Sequence, residues 1–127
     1  MIRVSRIILF VKNMTTMLEF YETHFGLRRQ ANPDDTDGFV SLDAGSVQLS
    51  RHQIPPRYAK NITITDPPEV RQGMPCKIVF EVENVEAMRE ILLADGVNVR
   101  TLEVSGAFSF CDGIDPEGNV FQISNRL

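Results

Sequence analysis

Four polar side chains, two cations and two carboxamides, occupy matched positions in the two halves of this sequence. Arg6 and Lys77 each begin a similar apolar run, and Gln48 and Gln122 lie in a second pair of similar segments. A guanidinium can bind a carboxylate or a phosphate through two parallel hydrogen bonds. A carboxamide can both donate and accept, so it can fix the orientation of a ligand. These residue types suit the binding of a small anion, provided that the fold brings them to one surface.

The matched positions belong to an internal repeat, which predicts two similar supersecondary units. Each copy begins with an apolar run and then an asparagine, Asn13 or Asn84, that can cap a helix. Each helical pattern ends near a glycine, Gly26 or Gly96. Further extended segments follow, so both units are predicted to be β-α-β-β-β. The predicted strands are Arg3–Val11, Leu27–Gln30, Phe39–Asp43 and Ser46–Ser50 in the first unit, and Lys77–Val82, Val97–Leu102, Ala107–Cys111 and Asn119–Ser124 in the second.

A segment of different composition separates the two units within a single domain. We place the first module at about residues 1–52 and the second at about 76–127. The segment between them, about 53–75, is rich in proline and favours a linker or an irregular loop, with a short strand at 62–65 as an option. The acidic run Asp34–Asp37 lacks the spacing of a calcium loop and predicts a solvated turn.

Strand periodicity predicts which surface the four polar residues share. Successive side chains of a strand point to opposite faces, and these four alternate with apolar residues. Ser50 and Ser124 lie two residues beyond the glutamines and share their face. The expected core residues of the strands are Ile7, Leu9, Val47, Leu49, Ile78, Phe80, Phe121 and Ile123. The expected buried stripes of the helices are Met14, Met17, Leu18, Tyr21 and Phe25 in the first, and Val85, Met88, Ile91 and Leu92 in the second.

Cations and amides on a recessed face need polar partners, and an anionic small molecule would supply them. The predicted ligand-binding residues are Arg6, Gln48, Ser50, Lys77, Gln122 and Ser124. In the alternative, Arg6 and Lys77 pair with carboxylates of the chain, such as Glu81, or extend their long stems to solvent. The face would then be vestigial.

The composition argues against several classes of partner. The chain has 127 residues and a formal net charge of −4, without a cluster of Lys and Arg, so we expect neither nucleic acid nor a membrane as partner. No apolar run is long enough to span a bilayer, and no signal peptide is recognisable, which predicts a cytoplasmic location. Cys76 and Cys111 are predicted to be two reduced, buried thiols.

Several local motifs resemble one known superfamily. They are Phe20-Tyr21 and Phe25-Gly26-Leu27 near the end of the first helix, and Asp115-Pro116-Glu117-Gly118-Asn119 before the last strand. Together with the repeat, they resemble the vicinal oxygen chelate superfamily, which includes glyoxalase I, bleomycin-resistance proteins, fosfomycin-resistance enzymes and extradiol dioxygenases. The resemblance implies an α+β fold, in which two βαβββ modules form a concave mixed sheet, and a homodimer.

The resemblance also bears on metal binding. Members that hold a metal typically take a His from the first strand of each module and a Glu from the last. The corresponding positions here are Arg6, Gln48, Lys77 and Gln122. Guanidinium and ammonium groups offer no lone pair, and two cations would repel a metal from the carboxamide oxygens. We therefore expect no catalytic metal and no other cofactor.

Three functions are consistent with these features. The leading interpretation is metal-independent binding of a small anionic molecule in the concave sheet, as in resistance-type members of the superfamily. The alternative is a lyase, an isomerase or a dioxygenase, in which Arg6 or Lys77 stabilises a developing oxyanion. Its catalytic residues are unknown, with Glu81 as a candidate general base. The third is an interaction module without a ligand.

Overall fold

The computed structural model describes residues 1–33 and 35–126, and Asp34 of the predicted acidic turn lies outside them. The chain divides into two compact units, residues 1–63 and 64–127. Each unit holds a four-stranded mixed sheet with helices, which confirms the α+β class and the paired βαβββ modules. The first unit contains β1 (Arg6–Val11), α1 (Met14–Phe25), β2 (Arg28–Arg29), β3 (Phe39–Asp43), β4 (Gln48–Gln53) and α2 (Pro56–Ala59). The second contains β5 (Ile78–Glu81), α3 (Val85–Ala94), β6 (Glu103–Ser105), β7 (Phe108–Ile114) and β8 (Val120–Ser124).

The sheet of the first unit has the strand order β1-β4-β3-β2, with β1 and β4 parallel and the other neighbours antiparallel. The register places Arg6 opposite Gln48 and Ser41 opposite Ser50. Since alternate residues of a strand share a face, these four side chains lie on one side of the sheet. The buried apolar residues of this unit include Leu9, Val11, Met17, Leu18, Tyr21, Leu42 and Leu49.

The sheet of the second unit repeats this arrangement in the order β5-β8-β7-β6, with β5 and β8 parallel. Gln122 lies between Val79 of β5 and Asp112 of β7. Lys77 precedes Val79 by two residues, so Lys77, Asp112 and Gln122 share one face. The buried apolar residues of this unit include Val85, Leu92, Val97, Val99, Cys111, Phe121 and Ile123.

The two long helices start as the sequence predicts. Asn13 and Asn84 each accept a hydrogen bond from the backbone N–H three residues ahead, at 3.0 Å and 2.9 Å. Gly26 ends α1 with φ of 64°, a left-handed conformation that glycine adopts without a Cβ penalty. The predicted stripe of α3 is wrong at Ile91, which is 57% exposed, whereas Leu92 is buried. Adjacent helical residues point about 100° apart, so a stripe centred on Leu92 turns Ile91 outward.

Two extended segments differ from their predicted positions. β4 starts and ends later than expected, because it pairs in parallel along the whole of β1. The predicted strand Val97–Leu102 is wrong: of these residues, all described, Val99 alone makes a bridge to β7. Val97 and Val99 are buried in the core instead. The paired strand β6 follows immediately and forms a hairpin with β7.

The proline-rich segment contains the short helix α2 rather than a strand. Residues 61–70 are all described and none of them lies in a strand. Proline lacks a backbone N–H and is a poor partner in a sheet ladder. Cys76, at the end of the segment, is exposed and Cys111 is buried, both as free thiols. The prediction of two buried thiols is therefore wrong for Cys76, which precedes the first residue of β5.

The turn between β7 and β8 is organised by one buried carboxylate. Asp115 is fully buried, and its Oδ1 accepts hydrogen bonds from the backbone N–H groups of Glu117 and Asn119, both at 2.9 Å. Its Oδ2 accepts from the Asn119 side chain at 2.8 Å. Gly118 adopts φ of 84°, and a Cβ there would overlap the carbonyl oxygen of Glu69. Residues 115–119 thus shape the turn between β7 and β8, and the glycine within them leaves room for the backbone at Glu69.

Candidate functional site

The polar face of the first unit is centred on Arg6. One guanidinium nitrogen of Arg6 donates hydrogen bonds to the hydroxyl oxygens of Ser41 and Ser50, both at 2.6 Å. The two hydroxyls are 2.8 Å apart, and both serines are fully buried. The guanidinium carbon also lies 5.5 Å from the centre of the Phe39 ring. The sheet therefore fixes Arg6 against neutral hydroxyls and an aromatic ring.

Two side chains from the loop before β3 complete this cluster. The Asp35 carboxylate accepts hydrogen bonds from the Ser41 backbone N–H at 3.1 Å and from the Ser41 hydroxyl at 3.3 Å. Asn32 donates to the Gln48 side-chain oxygen at 3.0 Å. Within residues 1–33 and 35–126, no carboxylate forms an ion pair with Arg6. Among these residues, Arg6 is held by the serine hydroxyls and the aromatic ring, and the Asp35 carboxylate is linked to it through Ser41.

An exposed apolar strip continues from Arg6 along the same face of β1. Ile8 is 43% exposed and Phe10 is 59% exposed. The His52 ring lies between two phenylalanines, 5.5 Å from Phe10 and 5.6 Å from Phe39, measured between ring centres. A cation at one end and aromatic rings at the other give this face the character of an amphipathic binding surface.

The matched position of the second unit is organised differently. Lys77 Nζ lies 2.7 Å from Asp112 Oδ2, and Gln122 donates to Asp112 Oδ1 at 3.0 Å. The alternative in which Lys77 pairs with a carboxylate of the chain therefore describes this residue, but the partner is Asp112 rather than Glu81. Glu81 is exposed at the end of β5. The one carboxylate of Asp112 neutralises Lys77 and orients Gln122.

A cavity of about 560 Å³ adjoins the Lys77–Asp112 pair. Residues 70–76, which lead into β5, form one of its walls, and Arg100 and Val120 also line it. The end of the proline-rich segment therefore borders the polar face of its own unit.

The six predicted site residues fall into two groups, one in each unit. Arg6 and Ser50 are in direct contact, and Gln48 lies beside them on the same face. Lys77 and Gln122 meet through Asp112. Ser124 is not part of either cluster: it is buried, and its hydroxyl accepts a hydrogen bond from the backbone N–H of Arg126 at 3.0 Å.

Sequence reasoning missed Asp112, Ser41 and Asp35. Asp112 was accessible from the pattern, because counting outward from the turn at residues 115–119 pairs Ile114 with Val120 and Asp112 with Gln122. Ser41 was accessible in the same way once β3 and β4 were paired. Asp35 had no such signal, since its position depends on the path of an irregular loop.

The fold and its two polar faces define a class of small α+β proteins built from paired βαβββ modules. A family model described as "Glyoxalase/Bleomycin resistance protein/Dioxygenase superfamily" matches residues 3–123, and the chain belongs to this superfamily. No curated protein matches the chain in sequence.

Solved structures share this fold at low sequence identity. The fosfomycin resistance protein FosX from Listeria monocytogenes is 13% identical with a TM-score of 0.72, over 98% of this chain and 93% of that one. TnmS3, an antibiotic-binding protein from Streptomyces sp. CB03234, is 17% identical with a TM-score of 0.71, over 97% and 94%. SMU.1112c is 23% identical with a TM-score of 0.69, over 96% and 97%. At these identities the likeness establishes the fold alone.

The side chains at the superfamily's metal positions do not fit a metal. Arg6 and Lys77 are donors without a lone pair, and each shares a sheet face with a glutamine, Gln48 or Gln122. Among the described residues, no three His, Cys, Asp or Glu side chains are grouped so that they could hold a metal ion. In the same part of the chain, no helix has the length and apolar character needed to cross a membrane.

Proposed function

We propose that this protein binds a small anionic organic molecule on the open face of its first unit, without a catalytic metal. The observation that carries the proposal is the setting of Arg6. Its guanidinium is fixed by two serine hydroxyls at 2.6 Å and has no ion-pair partner among the described residues. A carboxylate or phosphate on the ligand would supply that partner through charge-assisted hydrogen bonds.

The neighbouring side chains suit the rest of such a ligand. Phe39 and the exposed ring of Phe10 offer apolar contact beside the cation. Gln48 and Ser50 provide donors and acceptors that orient polar groups of the ligand. Two structural neighbours are described as a fosfomycin resistance protein and an antibiotic-binding protein, which supports small-molecule binding as the role of this chain.

Lys77, Gln122 and Ser124 have a smaller part in this proposal than Arg6. Because Asp112 already pairs with Lys77 at 2.7 Å, the second unit presents a nearly neutral polar face at the matched position. Lys77 and Gln122 would therefore contribute hydrogen bonds, rather than net charge, to a molecule bound on the face of the second unit. Ser124 is buried and its hydroxyl accepts from the backbone N–H of Arg126, so we do not place it in contact with the ligand.

Arg6→Gln tests the proposal, because glutamine keeps donors for the two serines and removes the charge. A hydrogen bond to a charged group is worth about 1.5–3 kcal/mol, so binding of phenylphosphonate or benzoate should weaken about 10- to 150-fold. Benzamide, the neutral counterpart of benzoate, should bind wild type and variant equally. Titration calorimetry measures all three ligands.

Arg57→Gln is the matched control, since Arg57 is an exposed arginine that stacks on Tyr58 in α2. It should bind the anions like the wild type. If benzoate and benzamide bind the wild type equally, or if Arg6→Gln binds the anions normally, the proposed site is wrong.

We also propose a homodimer in the cytoplasm. Exposed apolar side chains such as Ile91, Leu93 and Val104 provide surface for a partner copy, and both cysteines are free thiols. Light scattering at micromolar concentration should give twice the 14.3 kDa chain mass. A constant monomer mass over a wide concentration range would exclude the dimer.

A further inference from the structure

The cavity of the second unit has a second cation that the proposed site does not use. We propose that this cavity binds a small amphipathic monocarboxylate, with Arg100 holding the carboxylate. This binding site is separate from the Arg6 face and does not depend on it. Three features of the cavity carry the inference: its charge, its apolar walls and the way its wall is held in place.

Among the cations that line the cavity, Arg100 is the one whose guanidinium contacts no ionic partner among the described residues. Lys77 is paired with Asp112 at 2.7 Å, and Arg71 lies 3.6 Å from the buried carboxylate of Glu117. The backbone N–H of Arg100 donates to the Asp112 carbonyl at 2.8 Å, which fixes the residue beside the pair. No hydrogen bond or ion pair to another described residue involves its guanidinium. Arg100 is exposed, so its guanidinium is accessible and can bind one carboxylate through two parallel hydrogen bonds.

The remaining walls suit an apolar ligand body. Val70, Met74, Pro75 and Val120 line the cavity between the charged groups. Its volume of about 560 Å³ falls within the usual range of small-molecule sites, about 300–1,000 Å³. The unbranched side chain of Met74 can adapt to ligands of different outline. A carboxylate attached to an aromatic or aliphatic body matches this combination better than a small inorganic anion does.

The wall formed by residues 70–76 is anchored at its start. The backbone N–H of Arg71 donates to the Gly118 carbonyl at 2.9 Å. Gly118 has no side chain, which lets the chain at Glu69 approach the turn between β7 and β8. The Arg71–Glu117 ion pair adds a second link to the same turn. Because Arg71 is held in this way before a ligand arrives, binding requires no further ordering at this end of the wall.

The test uses 2-naphthoate, its neutral counterpart 2-naphthamide, and acetate, which has the charge without the apolar body. Titration calorimetry should show naphthoate binding at least about ten-fold more tightly than either of the other two, as expected for one charge-assisted contact plus apolar burial. In the Arg6→Gln background, where the other face has lost its anion contact, Arg100→Gln should remove the preference for naphthoate over naphthamide. Met74→Ala should weaken naphthoate and naphthamide alike.

The binding site of naphthoate is located independently by the amide chemical shifts of ¹⁵N-labelled protein. Naphthoate should shift the signals of residues 70–76 and Asp112 in the wild type and in Arg6→Gln. Equal affinity for naphthoate and naphthamide, or unchanged naphthoate binding in Arg100→Gln, would overturn the inference. Shifts confined to Ser41 and Ser50, lost in Arg6→Gln, would overturn it too and would leave the proposed function standing. If Arg6→Gln binds benzoate normally and naphthoate still shifts the signals of residues 70–76, the proposed function is wrong and the present inference stands.

Discussion

Replacement of Asp115 by alanine tests how much the buried turn contributes to stability. The Asp115 carboxylate is fully buried and accepts three hydrogen bonds, at 2.9, 2.9 and 2.8 Å. Alanine leaves those three donors without a protein acceptor. Each unsatisfied buried donor costs about 1–3 kcal/mol, so we expect a loss of at least about 3 kcal/mol. A chain of this size is stabilised by about 6–19 kcal/mol in total, so the variant should be severely destabilised.

Asp112→Ala is the informative comparison, because Asp112 also makes two short polar contacts but is partly exposed. Lys77 and Asp112 side chains are 40% and 25% exposed, so water can replace the lost contacts. We expect a loss below about 1.5 kcal/mol. Urea unfolding followed by circular dichroism gives both values, and Asp37→Ala, in an exposed turn, should be close to the wild type. If Asp115→Ala costs no more than Asp112→Ala, then burial of the acceptor is not what stabilises the turn.

Two further predictions concern β7. A Cβ at Gly113 would overlap the Phe121 ring, so Gly113→Ala should destabilise the protein by about 1–3 kcal/mol in urea unfolding. Gly38→Ala is the control, because a Cβ at Gly38 would make ordinary contacts at 3.8 and 3.9 Å. A neutral Gly113→Ala would contradict this packing. Burial raises the pKa of the Cys111 thiol above its ordinary value. The unfolded thiol ionises first, so the free energy of unfolding should fall as pH rises above about 8.5, and Cys111→Ala should lose this part of the pH dependence. If the free energy of unfolding depends on pH identically in the wild type and in Cys111→Ala, the buried thiol does not cause this loss of stability.

Much of the fold could be predicted because the pattern of one βαβββ unit occurs twice in the sequence. The repeat identified both βαβββ modules, and the asparagine caps at positions 13 and 84 were correctly located. Parity was enough to place Arg6 and Gln48 on the face opposite the core, because a period of two leaves one choice once Leu49 is assigned to the interior. These predictions depend on short-range geometry that the chain carries in each local segment.

The features that the sequence did not predict depend on contacts between distant segments of the chain. Nothing in the sequence near Lys77 indicates that Asp112 is its partner, since the two meet through the pairing of β5 with β8 and of β8 with β7. Arg51 occupies a core position by parity, yet it is a cation. The structure buries it over the Tyr21 ring at 4.4 Å, with a hydrogen bond to the Leu49 carbonyl at 2.6 Å. Such burial depends on tertiary partners, which a pattern of apolar residues does not encode.

The carboxylates opposite the two matched glutamines show how a duplicated fold can acquire unequal halves. Asp43 lies across from Gln48, and its carboxylate accepts a hydrogen bond from Gly45 in the adjoining turn at 3.0 Å. Asp112 lies across from Gln122 and instead holds Lys77. The same residue type at the same register thus accepts a hydrogen bond from a turn in the first unit and pairs with a cation in the second. Substitution at either aspartate can therefore change the charge of one polar face and leave the hydrogen bonds of the other unchanged, so the duplication gives each half an electrostatic character of its own.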